Sequence, residues 1–311
     1  MNYKTVLPVI LFAFSLNSYS QSLSVKLGYN ASDRILIINN DDAGMSHSSN
    51  IGTFEGFEKG VITSSTIMVP CPWFSEIVEY AKANPKRDFG IHLTLTSEWK
   101  YYRWTGIAPK ESVKGLYDPN GYLWGSIEDV YKHATPKHAL IEGRAQIQRA
   151  LDAGINITHI DSHMGTYQLN PEYMKVYFQL ASEFNLPLRM ASQKTMEKFG
   201  FGNLRKEYAE KGLVFTDFFI YDELQNYKEV KSFWTDIVKN LKPGVTELYI
   251  HASKMSDELK SITYSSKTRA EEAELFTYDK EFKELLEKEN IKLISYRPLL
   301  NLQRKILHQT N

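Results

Sequence analysis

The sequence predicts an α/β fold, a single-domain distorted (β/α) barrel of about seven to eight strands. Two observations carry this. From Arg34 onward, short apolar runs alternate with segments of helical period, with no repeat, low-complexity tract or Pro/Gly/Ser linker between them. Polar side chains of chemically active types stand where several of the apolar runs end, as at the mouth of a barrel. An open doubly wound sheet fits the alternation as well; the barrel is favoured once those polar residues are considered.

The expected strands, in order, are ILIINN (35–40), TSSTIMV (63–69), FGIHLTL (89–95), ITHIDS (157–162), LPLRMA (186–191), LVFTDFFI (213–220), ELYIHA (247–252) and KLISY (292–296). Helices are expected over 138–153, 171–185, 227–241 and 277–290. Ahead of them, residues 1–20 read as a secretory signal peptide: one lysine, an apolar stretch from Val6 to Leu16, then Ser18-Tyr19-Ser20 as a small-x-small cleavage site. The stretch falls short of the roughly twenty residues that span a bilayer, so no stable span is expected after cleavage. The organisation is then a signal peptide (1–20), an N-terminal extension (21–33), the barrel domain (34–300) and a C-terminal tail (301–311). The protein is expected to be exported, periplasmic or secreted.

Composition excludes some functions. Without Lys4 the 37 basic and 37 acidic residues become 36 and 37, a net charge of −1, and no basic cluster suggests a nucleic-acid partner. Cys71 is the sole cysteine, so no internal disulfide forms and an ordinary core must hold the fold. A homodimer stays open, because composition does not reveal an interface.

Residues 97–125 break the alternation with a long loop rich in aromatic side chains. Its rings can plug the barrel, or they can form a wall that stacks on sugar rings; Trp99, Trp104 and Trp124 are the candidates for the second role.

Three clusters carry chemistry. Asp41 and Asp42 end the first strand, His92 lies in FGIHLTL, and His159, Asp161 and His163 alternate through THIDSH. One aspartate and two imidazoles from three strands make a facial ligand set for a divalent cation with open positions. A cation would also relieve the repulsion between adjacent carboxylates. Neighbouring residues of an extended strand face opposite ways, so one aspartate is expected on the cation and the other toward reacting water.

These residues, with IINNDDAG, GIHLTL, THIDSH, ELYIH and the closing TRAEEAELF…IKLISYRPL, resemble the YdjC-like carbohydrate deacetylases, the group that includes chitooligosaccharide deacetylase. The resemblance runs in order from about Arg34 to Leu300, and SVKGLYDPNGYLW is similar to the family's loop after the third strand. It implies a distorted (β/α) barrel and one divalent cation, zinc or magnesium, on Asp42, His92 and His163. It also implies Asp41 as general base, His251 as general acid and Arg269 near the mouth. Arg189 joins Arg269 and the three tryptophans as expected substrate contacts, with His159 and Asp161 behind the ligands. Many members read D-S-H-x-H where this chain has Gly165 at the last position, which bears on substrate range.

The implied activity is metal-dependent hydrolysis of acetyl groups, N-acetyl before O-acetyl, from an oligosaccharide or polysaccharide. Two rivals use the same residues: a glycoside hydrolase, with Glu98, Asp161 or Glu247 as the opposing acid, and a non-catalytic carbohydrate-binding protein.

Overall fold

The computed structural model describes residues 22–220 and 229–310. Seven parallel strands form one curled sheet, a half-barrel: β1 (Arg34–Ala43), β2 (Ser64–Ile67), β3 (Phe89–Leu93), β4 (Ile157–Ser162), β5 (Phe218–Ile220), β6 (Gly244–Ile250) and β7 (Lys292–Leu293). The order is β4–β3–β2–β1–β6–β5. β1 is its spine, buried from Ile35 to Ala43, as a strand covered on both faces must be. It pairs with β6 from Arg34↔Gly244 to Asn40↔Ile250, and on its other edge with β7 at Ile35 and Leu36 and with β2 further along.

KLISY is a strand only at Lys292–Leu293, and two further expected strands are curtailed for visible reasons. LPLRMA contributes a single bridge, Leu188 to Ile160, because Pro187 has no N–H to give a ladder; its carbonyl accepts from Ile160 instead. LVFTDFFI is a strand only at its end. Earlier, the N–H of Val214 donates to Gln303 and the carbonyl of Thr216 accepts from Arg205, so side chains replace a neighbouring strand.

The helices start where local chemistry starts them. Asn170 caps Pro171–Glu183 and Thr135 caps Pro136–Asp152 in a capping box with His138, each with proline at the first helical position. The helix expected over 227–241 is described as Val230–Lys239, its first expected residues lying outside the described ones. The helix expected over 277–290 is Lys280–Lys288, capped by Asp279, and a separate helix that was not expected, Ser266–Thr277, ends just before it. The residues set apart as a tail are mostly helix, Arg297–Thr310, whose buried Gln303 holds Val214. The 21–33 extension packs too: Leu23, Leu27 and Tyr29 close the base against Ile35, Val245 and Ile294.

The aromatic loop is chiefly a plug. Trp104 is buried, and Trp124 stacks flat on His133 with its indole N–H on the Gly115 carbonyl. Glu142 pins the loop by accepting from the N–H groups of Ile107 and Ala108. Glu142→Ala should strand both donors and destabilise the fold by about 2–4 kcal/mol, read as a lower Tm by calorimetry; an unchanged Tm would mean that this loop is held elsewhere.

Candidate functional site

The two aspartates end β1 on a bulge. Asn40 pairs with Ser65 but Ala43 with Ile67, so β1 carries one extra residue, and Asp42 takes a left-handed conformation at φ 64°. Strand alternation therefore fails here. Both carboxylates line one cavity rather than opposite faces.

Within that cavity they have different partners. Asp41 receives both terminal nitrogens of Arg189 at 2.8 Å and the amide of Asn39 at 2.8 Å. Burial alone would raise its pKa, but the guanidinium outweighs this and holds it far below the usual carboxylate range. Asp42 lies 3.3 Å from His92 Nε2 and 3.4 Å from His163 Nδ1, both measured to Oδ1, and 2.8 Å from an Arg269 nitrogen at Oδ2. None of these donors is aligned for a hydrogen bond, so both oxygens of a carboxylate only 1 % exposed lack one.

The imidazoles are oriented from behind. His92 Nδ1 is 2.6 Å from Asp161, and His163 Nε2 is 3.1 Å from both oxygens of Glu98. Each outer nitrogen thus has a carboxylate to donate to, which turns the inner nitrogen toward Asp42, the arrangement that orients metal-bound histidines. Burial disfavours charge on either ring, yet the carboxylates prevail and raise His92 to about 10 and His163 to about 9. The cluster attracts positive charge. Asp42, His92 and His163 offer ligand atoms within 4.8 Å of one another, and the orphaned Asp42 oxygens fit a divalent cation there. Asp41, His92 and Asp161 are equally close, but Arg189 already lies 2.8 Å from Asp41 and 2.9 Å from Asp161 and neutralises that side.

The other expected residues fall into place or move. His251 follows β6 with its backbone N–H on Glu272 and its Nε2 3.9 Å from Asp42; its side chain is 31 % exposed. Burial first, and Arg269 next, push its pKa down to about 4. Arg269 lies over Trp99, with one buried guanidinium nitrogen left without a partner in the cavity wall. Trp99 lines the cavity; Trp104 and Trp124 do not, because the loop buries or stacks them elsewhere. Arg189, expected on substrate, is instead consumed by Asp41, Asp161 and Glu247. His159 lies deeper, stacked on Tyr296 at 3.7 Å and kept neutral by burial. Gly90 makes its room: a Cβ there would sit 2.6 Å from the imidazole.

Glu98, Glu247 and Tyr296 matter more than the sequence suggested. Glu247 holds Arg189 Nε at 2.8 Å and accepts from the Tyr296 hydroxyl at 2.5 Å. Residues 247, 249 and 251 alternate through ELYIH, and that period-two spacing was the available signal. Tyr296 had none.

Arg189→Met should cost about 3–5 kcal/mol by leaving buried carboxylates uncompensated. Without the guanidinium, burial lifts the folded-state pKa of Asp41 above the unfolded one, so its penalty is full at pH 7 and relieved as pH falls through the raised value. Asp41 in the native protein titrates far lower and keeps its contribution at pH 5. Urea unfolding should show a smaller deficit at pH 5 than at pH 7; equal deficits would uncouple these carboxylates from Arg189.

Comparison with known proteins agrees with this geometry. The family model described as YdjC-like protein matches residues 35–288. A carbohydrate deacetylase of Enterococcus faecalis is 31% identical over 284 residues, covering 86% of this chain and 99% of its own. One of Thermoanaerobacter pseudethanolicus is 27% identical over 263 residues, covering 85% and 98%. Among solved structures, a candidate cellobiose-phosphate cleavage protein of Enterococcus faecalis superposes with a TM-score of 0.74 at 29% identity, covering 86% of this chain and 99% of that one. The family model spans most of the chain and one relative is 31% identical over nearly its whole length, so the chain belongs to the YdjC-like family.

Proposed function

We propose that this protein is an exported, metal-dependent carbohydrate deacetylase that removes acetyl groups, N-acetyl before O-acetyl, from an oligosaccharide or polysaccharide. The observation that carries it is the buried, unbonded Asp42 carboxylate between two imidazoles, each backed by a second carboxylate, with Asp41 beside it in one cavity of about 660 Å³. The relatives' activity supports the same reading.

Asp42, His92 and His163 would hold a divalent cation, zinc or magnesium, which supplies Lewis acidity toward the acetyl carbonyl and a more acidic water. Asp41, fixed on both oxygens by Arg189, is oriented to accept a proton from the attacking water as general base. Its low pKa makes it a weak base, so its contribution rests on position more than on basicity. His251 rests neutral, with an exposed edge toward solvent. Negative charge developing on the tetrahedral oxygen raises its proton affinity, so it takes up the proton that Asp41 accepted from the water and passes it to the leaving amine. Arg269 brings its unpartnered nitrogen to a substrate oxygen.

The glycosidase alternative loses its opposing acid. Asp161 and Glu247 are fully buried behind Arg189, and Glu98 is engaged by His163. Among the described residues no helix is long and apolar enough to cross a membrane; residues 1–20, on which the export proposal rests, lie outside them.

Purified mature protein should contain near one equivalent of divalent metal and release acetate from acetylated oligosaccharides until a chelator removes it. Metal-free protein that releases none would sink the reading. Asp42→Ala, His92→Ala and His163→Ala should each lose the metal, measured by elemental analysis. Asp41→Asn and His251→Ala should retain it while turnover falls by roughly 10²–10⁴. Metal loss in Asp41→Asn would exchange the roles of the two aspartates.

A further inference from the structure

The cavity is larger and more apolar than an acetylated sugar accounts for. On the side of β4 it widens into a lobe lined by Met164, Leu169, Phe178, Met190, Met196 and Phe199. Phe178, Met190 and Met196 form a buried floor; Met164, Leu169 and Phe199 stand exposed around it. Its residues come from the loop after β4, the helix Pro171–Glu183 and the chain beyond the Leu188–Ile160 bridge.

Its polar neighbours are already engaged. The Gln168 amide donates to the Arg189 carbonyl at 2.9 Å, and the Tyr177 hydroxyl is 3.0 Å from the carbonyls of Ile160 and Arg189. A sugar ring placed there would give up water without finding partners for its hydroxyls, a cost of a few kcal/mol by order of magnitude. The sugar therefore belongs on the other wall, where Arg269 has a guanidinium nitrogen without a partner. Gly165 puts no side chain between His163 and the lobe: even a Cβ there would meet Leu169 at 3.4 Å. The lobe thus opens directly beside the reacting centre. Its methionines and phenylalanines suit a flexible apolar group, since thioether chains adapt to irregular shapes.

We propose that the substrate carries an extended apolar group on or next to the acylated sugar, and that this lobe receives it. The inference rests on the deacetylase reading and narrows its substrate class to amphiphilic acyl-sugars. The group is either an acyl chain longer than acetyl on the scissile amide or an alkyl aglycone, and the two are distinguished experimentally.

The test is calorimetric binding to the full mature protein of two matched pairs. One pair is methyl and hexyl N-acetylglucosaminide; the other is the methyl glycosides of N-acetyl- and N-hexanoylglucosamine. At least a tenfold gain in affinity is expected in one pair: a gain in the first identifies an aglycone, in the second an acyl chain. Leu169→Asp and Phe199→Asp, at positions 61 % and 56 % exposed where the fold is not at risk, should each bring that ratio toward one. No gain in either pair, including no measurable binding, overturns the proposal, as does a gain that both variants leave unchanged. Release of the free acid, acetate or hexanoate, measured alongside separates the two readings. Release without a gain leaves the deacetylase standing and removes the lobe; a gain without release from any compound keeps the lobe and counts against the deacetylase.

Discussion

The structure turns on one buried guanidinium. Arg189 joins Asp41 of β1, Asp161 of β4 and Glu247 of β6 by contacts of 2.8–2.9 Å, so a single side chain ties the spine of the sheet to its far edge and its other neighbour. An isolated charge at that depth would be untenable, and so would any one of the carboxylates. Together they satisfy one another, and the chemistry inherits the result: Asp161 is then free to orient His92, and Asp41 is held ionised beside the cluster that needs it. Tyr296, entering after the last strand, reaches the same group through Glu247, so the C-terminal segment is bound to the site as firmly as the strands are.

The polar cluster also explains the division of labour between the adjacent aspartates. Arg189 compensates one, and Arg269 with two imidazoles surrounds the other without aligned hydrogen bonds. Arg189 and Arg269, with His92 and His163 raised to about 10 and about 9, offset the buried carboxylates Asp41, Asp42 and Asp161 of this cluster.

Much of this was legible in the sequence, for physical reasons that differ by residue. The strands that carry the ligands are uninterrupted apolar runs ending in polar residues, so β1, β3 and β4 were readable close to their observed limits, and Asp42, His92 and His163 with them. The strand expected at 186–191 was not, because one proline outweighs its neighbours' propensity. Arg189, Trp104 and Trp124 were misplaced for a shared reason: residue type announces what a side chain can bind, while burial decides whether anything is left to bind with. Trp104 packs against Trp99 and His163, Trp124 stacks on His133, and Arg189 spends its donors on carboxylates distant in sequence. The apolar lobe was invisible because its residues come from separate segments that only the fold brings together.

The bulge at Asp42 makes the chemistry a matter of chain length as well as composition. One residue more than β2 can match is what turns two neighbouring carboxylates into the same cavity. Shortening β1 by that residue would restore strict alternation and carry one carboxylate to the opposite face, with the hydrophobic pattern upstream intact. One residue of chain length thus decides whether the two carboxylates share a cavity or stand on opposite faces of the sheet.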